Sequence, residues 1–226
     1  KGAMFDQASG RIVGVERHLF DDLLLEEKSG FEVDRERGRQ VMEAAIRAEP
    51  SRALPEEQEF RDWVTRWRCL AEWAPDLGLP ALAEADLIEA AVSLCEGKRT
   101  FDEVRRAPIR DVLLGRLDHR TRMALDREAP ERMTLPGGRS AKIRYELGRP
   151  PVLAARVQDL FGLTDSPRIA VGRTALVIEL LAPNGRPVQI TQDLRSFWTN
   201  TYQQVRKDLR GRYPKHKWPE HPPGFE

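Results

Sequence analysis

The sequence predicts an α+β fold in two parts: short N-terminal strands leading into a helical bundle, then a smaller unit built on an antiparallel sheet. Three observations carry this reading. Apolar residues recur at helical spacing from Phe31 to about Pro130, alternation around two Gly-bearing turns replaces it afterwards, and the charge balance changes at the same place. Residues 1–130 hold 21 basic and 27 acidic side chains and residues 131–226 hold 16 and 9, so a net charge of +1 conceals halves of −6 and +7. A chain of 226 residues suffices for two cores, and 40% hydrophobic with 32% charged residues is a globular composition.

Lys1–Met4 reads as an expression-tag scar and is set aside, which leaves 5–130 as strands plus helical domain and 131–226 as a C-terminal α+β domain. Between Phe5 and Lys28, the turn Ser9-Gly10 and the runs Arg11–Val15, Leu19-Phe20 and Leu23–Leu25 give two or three strands. A sheet this small is marginal alone, so it continues one begun upstream or packs on the helices that follow. The first helix carries Val41, Ala44, Ala45 and Ala48 on one side and ends at Pro50. Pro55-Glu56-Glu57 opens a second, with proline and acids in the first turn, and Phe60, Trp63, Val64, Trp67, Leu70 and Ala71 form its apolar stripe. That aromatic stripe is read as core. Leu82–Leu94 forms a third helix stopped by Gly97, Thr100 and Glu103 make a capping box, and Asp111–Leu125 adds further helix.

After Pro130, Met133–Tyr145 reads as a hairpin around Gly137-Gly138, with Ile143 and Tyr145 on one face and Lys142 and Arg144 on the other. Val152–Phe161 is expected to be an amphipathic helix closed by Gly162. Leu176–Leu181 and Val188–Thr191 flank Asn184-Gly185, the composition of a type I′ turn. A last helix from Asp193 to Arg210 closes the unit.

Catalytic and metal constellations do not emerge. Cys69 and Cys95 are 26 residues apart and are read as buried thiols of a reducing compartment, and His216 and His221 lie five apart in a Pro-rich tail, off any helix face. Gly97-Lys98-Arg99-Thr100 resembles the end of a phosphate-binding loop, but Val92 stands where the first glycine belongs and Arg99 replaces the magnesium-binding hydroxyl. The amides of Gly137–Ser140 could meet a phosphate, although a hairpin turn explains them better. Asp21-Asp22 and Glu56-Glu57 sit in solvated or helix-start contexts. No metal, no cofactor and no catalytic residue are assigned. With no apolar run near the roughly 20 residues a span needs, and no apolar leader in this sequence, the expectation is a cytoplasmic protein without a membrane partner.

One feature stands apart. Val205–Trp218 contains six Lys/Arg residues and one acid, interleaved with Tyr213 and Trp218. Arg206, Lys207 and Arg210 fall within 1.3 turns of one helix, and Arg212, Lys215 and Lys217 extend the strip through the turn that follows. Such a strip suits phosphates, with Tyr213 and Trp218 available to stack bases. Trp198, Tyr202 and Val205 have core spacing and are left out of the candidate site. A solvated outer face is the structural alternative for the cations.

The wording of this region adds to the reading. Arg186–Leu194, Phe197-Trp198, Tyr202 and Val205–Glu220 resemble the C-terminal signature of HrpB-type bacterial helicases, and Leu135–Arg139, Ile143–Tyr145 and Pro151–Gly162 are similar to the same family region. Phe5–Glu27 is similar to the segment where that family leaves its oligonucleotide-binding-like barrel. The resemblance implies the C-terminal extension of a DEAH-type ATP-dependent RNA helicase. The family's ATP-binding and DEAH segments are absent from these residues, so ATP and magnesium are expected only at the parent's core, and no catalytic residue carries over. Single-stranded RNA, or another nucleic acid, and the helicase core of the same polypeptide are the expected partners. The alternative is a protein-interaction or intramolecular regulatory module whose basic strip docks on an acidic surface of that core.

Overall fold

The computed structural model describes residues 2–20 and 23–222, with backbone alone at 17–20, 23–28 and 31; the Asp21-Asp22 pair lies outside them. The α+β class holds, and the chain folds into two units that it visits alternately: 1–61 with 82–118, and 62–81 with 119–226. The compositional boundary at residue 130 and this division fall at different places, because residues 62–81 and 119–130 pack with the C-terminal unit.

The first unit opens with an antiparallel meander, β1 (Gly2–Asp6), β2 (Arg11–Phe20) and β3 (Leu23–Phe31). Gly2, Ala3 and Met4, set aside as a tag scar, therefore belong to a strand, paired with Val15, Gly14 and Val13. The meander does not stand alone. Ile12 N–H donates to Arg99 O at 2.8 Å, Phe101 N–H donates to Gly10 O at 3.1 Å, and the Phe5 and Phe101 rings lie 4.4 Å apart. Packing on a later helix is thus one of its supports.

Helix α1 (Arg35–Ala48) starts at Asp34, whose carboxylate accepts from Arg37 N–H. Its buried side chains are Met42, Ala45 and Ile46, whereas Ala44 and Ala48 face solvent, so the expected apolar face is corrected by rotation. Met42 and Ile46, bulkier than alanine, decide which side turns inward. The short α2 (Pro50–Ala53) follows, then α3 (Gln58–Trp73), which begins just past Pro55-Glu56-Glu57. α4 (Glu84–Ser93) precedes α5 (Phe101–Arg105), capped reciprocally by Thr100 and Glu103 as the sequence indicates. The expected helix over 111–125 is two pieces, α6 (Ile109–Gly115) and α7 (His119–Glu128), separated at Arg116–Asp118.

In the second unit Trp63, Val64, Trp67 and Leu70 of α3 are buried as the stripe requires, and the Trp63 and Trp67 rings meet edge to face at 5.4 Å. Arg66 is buried with them, its Nε–H donating to Ala129 O at 2.8 Å and its guanidinium reaching Asp126 at 3.3 Å. The sheet contains β4 (Arg132–Thr134), β5 (Ser140–Arg144), β6 (Val152–Arg156), β9 (Val177–Leu181) and β10 (Pro187–Thr191), in the order β10-β9-β6-β5-β4; β7 (Arg168–Ile169) and β8 (Thr174–Ala175) pair separately.

Three expectations are corrected here. Val152–Phe161 is not a helix but β6 followed by a 3₁₀ turn over Val157–Leu160. Leu153, Val157 and Leu160 have helical spacing, but pairing with β5 on one edge and β9 on the other decides for strand. Because β6 and β9 run parallel, the sheet is mixed rather than antiparallel throughout. The Asn184-Gly185 connection is also not type I′, since Gly185 has φ +83° while Asn184 is absent from the positive-φ residues. Gly185 N–H closes onto Ala182 O around Pro183-Asn184, leaving Gly185 left-handed, the pattern of a type I turn with a bulge. Proline at 183, with its locked negative φ, suits that turn.

Leu153, Ala155, Ile178 and Leu180 turn from the sheet into a core completed by Leu194, Phe197, Trp198, Tyr202, Val205 and Leu209. These last come from α8 (Leu194–Ser196), a π-helical turn over Phe197–Thr201, and α9 (Tyr202–Arg212). Each such side chain contributes about 1.5–3 kcal/mol by leaving water.

Candidate nucleic-acid interface

Helix α9 is two-sided. Tyr202, Val205 and Leu209, at spacings of three and four, point into the core, so the residues between them face out. Gln203, Arg206, Lys207 and Arg210, with Gly211 and Pro214, line a groove of about 710 Å³. The groove forms because the chain turns back after α9: Tyr213 N–H bonds Leu209 O at 2.7 Å, and the tail then runs alongside the helix.

The sequence-predicted residues separate into three groups. Arg206, Lys207 and Arg210 are brought together at the groove. Arg212, Lys215 and Lys217 are exposed on α9's end and the returning tail and do not line it. The two aromatics fare differently from expectation. Tyr213 is half-buried, its ring 6.2 Å from that of His216. Trp218 is only 8% exposed, packs in the core and donates its indole N–H to Tyr213 O at 2.9 Å. Its assignment as a base-stacking residue is thereby corrected, because an indole committed to the core has no face to offer a base. Gln203 was missed. Its place three residues before Arg206 and seven before Arg210 was the available signal, since those positions share a helix face.

Among the described residues none of Arg206, Lys207, Arg210, Arg212, Lys215 and Lys217 has a carboxylate within ion-pair distance. Asp208, the acid inside the strip, is instead engaged by Gln204 Nε2 at 3.2 Å. Arg210 and Arg212 also complement the negative end of the helix dipole, a structural role that any helix of this kind would reward. On the inward side, burial pushes the Tyr202 phenol up to about 12, with the Arg206 charge pulling the other way.

Other positions weighed for anion binding are occupied by their own structure. The amides of Arg99 and Thr100 both donate to Glu103 Oε2, at 2.6 and 3.1 Å, and Lys98 N–H closes onto Cys95 O, so Gly97–Thr100 is a helix-capping turn. Gly138 N–H bonds Leu135 O within the hairpin turn. A cavity of about 480 Å³ beside Gly97 mixes Glu32 and Asp34 with Arg35, Arg39, Lys98 and Arg99. Cys69 and Cys95 are free and buried, and burial raises both thiols, Cys69 to about 11. Among the described residues no cluster could hold a metal ion and no helix is long and apolar enough to cross a membrane.

Comparison with known proteins agrees with this architecture. ATP-dependent RNA helicase HrpB of Escherichia coli (strain K12) is 40% identical over 161 residues, which is 70% of this chain and 20% of that protein. The crystal structure of E. coli DExH-box NTPase HrpB superposes with a TM-score of 0.81 at 34% identity, covering 98% of this chain and 28% of that one. That of Escherichia coli DEAH/RHA helicase HrpB gives 0.72 at 33% identity, over 96% of this chain and 28% of the other. The chain thus spans between a fifth and somewhat over a quarter of the relatives it matches. A family model described as ATP-dependent helicase C-terminal matches residues 91–222, more than half of the chain, and to that family the chain belongs.

Proposed function

We propose that the second unit is an RNA-binding accessory domain of an ATP-dependent helicase, contacting single-stranded RNA through the outer side of α9 and the tail behind it. The observation that carries this reading is the absence of carboxylate partners for six neighbouring cations among the described residues, beside a groove lined by three of them. Phosphates supply the missing counter-charge, and releasing their condensed ions favours binding. The name of the E. coli relative, an ATP-dependent RNA helicase, points to RNA as the polyanion. ATP, magnesium and the chemistry of hydrolysis belong in this reading to the parent core, and this chain carries no catalytic step. A cytoplasmic location follows from the same reading and suits two free buried thiols.

Fluorescence anisotropy of a labelled single-stranded RNA at about 50 and 200 mM salt tests it. Four phosphate contacts would give a slope of about −3 in log affinity against log salt. Replacing Arg206, Arg210 and Arg212 by Ala is expected to weaken binding and flatten that slope while thermal unfolding stays cooperative. Absence of binding at the lower salt, together with capture of the isolated helicase core, would favour the docking module instead. Unfolding of the triple variant would make these side chains structural.

A further inference from the structure

The tail behind α9 is tied to the helix at several points. Tyr202 Oη donates to Pro219 O at 2.8 Å, Gln203 Nε2 to Glu220 O at 2.6 Å, and Arg206 Nε to Trp218 O at 3.0 Å. Within the tail, Trp218 Nε1 donates to Tyr213 O at 2.9 Å while its ring fills the core beside α9. An element held only to be kept out of solvent would not need helix donors at positions 202, 203 and 206 all aimed at its carbonyls.

Resting on the RNA reading above, we infer that residues 213–220 form a positioning strap, with Trp218 as its anchor and Arg206 as the side chain it sets. A guanidinium is planar, so bonding Nε–H to the Trp218 carbonyl orients the whole fork and leaves both Nη groups for a phosphate at the groove. Lys207 and Arg210 line the same groove with no such tether among the described residues, and supply charge without a prescribed direction. Arg206 therefore arrives with its conformational freedom already spent on folding, which is the general route by which preorganisation raises affinity. Trp218 touches no nucleic acid in this arrangement and acts through Arg206.

The test measures single-stranded RNA affinity and its salt slope for the whole chain carrying Arg206→Ala, Arg206→Lys, Trp218→Phe and the Trp218→Phe/Arg206→Ala pair. Arg206→Lys keeps the charge and loses the oriented fork, so it is expected to lose about fivefold, most of the Arg206→Ala effect. Trp218→Phe keeps a core aromatic, removes no charge and is expected to lose about threefold. The double variant should bind no worse than Arg206→Ala alone, because both changes remove one interaction. Wild-type binding by Arg206→Lys, or losses that multiply in the double variant, would overturn the inference. If Trp218→Phe does not fold, Tyr202→Phe, which deletes the Pro219 contact and keeps the ring, takes its place in the cycle. A wild-type chain that fails to bind RNA at about 50 mM salt removes the RNA reading and this inference with it. A binding wild type with multiplying losses removes the strap alone.

Discussion

Helices α1 and α9 are both rich in cations, and they use them in opposite ways. On α1, Arg39 meets Glu36 at 2.7 Å and Glu43 at 3.3 Å, while Arg47 meets Glu43 at 3.1 Å and reaches Glu89 of α4. Arg52 pairs with Glu49, Arg105 with Asp102 and Glu56, and Arg116 with Asp86 in the same unit. The pairing also shifts acidity: hydrogen bonds from Arg39 and Gln40 hold the Glu36 carboxyl down to about 2. On α9 the cations outnumber the acids and stand without carboxylates among the described residues. Counting Lys and Arg does not distinguish the two helices. Where each positive charge finds its partner does, because a charge already neutralised within the fold has little left for a ligand.

Reversing charge at the groove separates the two helices most strongly. Lys207→Glu/Arg210→Glu changes two exposed side chains, so circular dichroism is expected to stay close to wild type, with a small drop in thermal midpoint because a carboxylate at position 210 opposes the helix dipole. Single-stranded RNA affinity at about 50 mM salt is expected to fall by about 100-fold, since two attractions become repulsions. A loss below about threefold would show that the unpaired cations of α9 are a solvated face and no more.

How much of this was legible beforehand follows from the length scale of each signal. The inward side of α9 could be read because Tyr202, Val205 and Leu209 repeat at helical spacing over about two turns, and the charge strip because it is local. The β6 segment could not, since Leu153, Val157 and Leu160 repeat at helical spacing and only the strands on either side choose. The fate of Trp218 was equally non-local. Nothing in Lys217-Trp218-Pro219 says that the chain doubles back along α9 and buries the indole in the core. The α1 face turned on size: an alanine-based stripe lost to Met42 and Ile46, which bury more apolar surface one position away. Ion pairs such as Arg47–Glu89, 42 residues apart, are invisible to any window along the sequence. Arg39–Glu36, Arg39–Glu43 and Arg47–Glu43, three or four residues apart, lie within reach of the sequence, so the property that separates α1 from α9 was legible in part.

The contrast also operates inside α9, between its two sides. Tyr202 is fully buried, and its phenol stands at about 12 against an ordinary 10.0 because burial disfavours the phenolate. The fold thus favours the protonated form, which also donates to Pro219 O. Its contribution is whole below about pH 10, declines as the pH rises, and is gone above about 12. In urea unfolding, the stability of wild type relative to Tyr202→Phe is expected to fall by roughly 2 kcal/mol across that window. Tyr145, whose phenol is raised by burial in the same direction, titrates in both proteins and drops out of the difference. A difference that stays constant from pH 9 to 12 would mean that the inward side of α9 does not hold the phenol neutral.

The smallest expected effect is the most discriminating for the two-helix comparison. Arg39→Ala/Arg47→Ala removes two positive charges, the same formal change as Lys207→Ala/Arg210→Ala. If net charge governed RNA affinity, the two double variants would weaken binding alike. Pairing argues otherwise. Arg39 and Arg47 are held by Glu36, Glu43 and Glu89 and line no part of the groove, so their removal takes away no phosphate contact there. The α1 variant is therefore expected to bind single-stranded RNA within about twofold of wild type with an unchanged salt slope. The α9 variant is expected to lose about tenfold, with a slope shallower by about 1.4, the value for two single-strand phosphates. Equal losses in the two variants would assign the binding to overall charge and leave the groove without a function of its own.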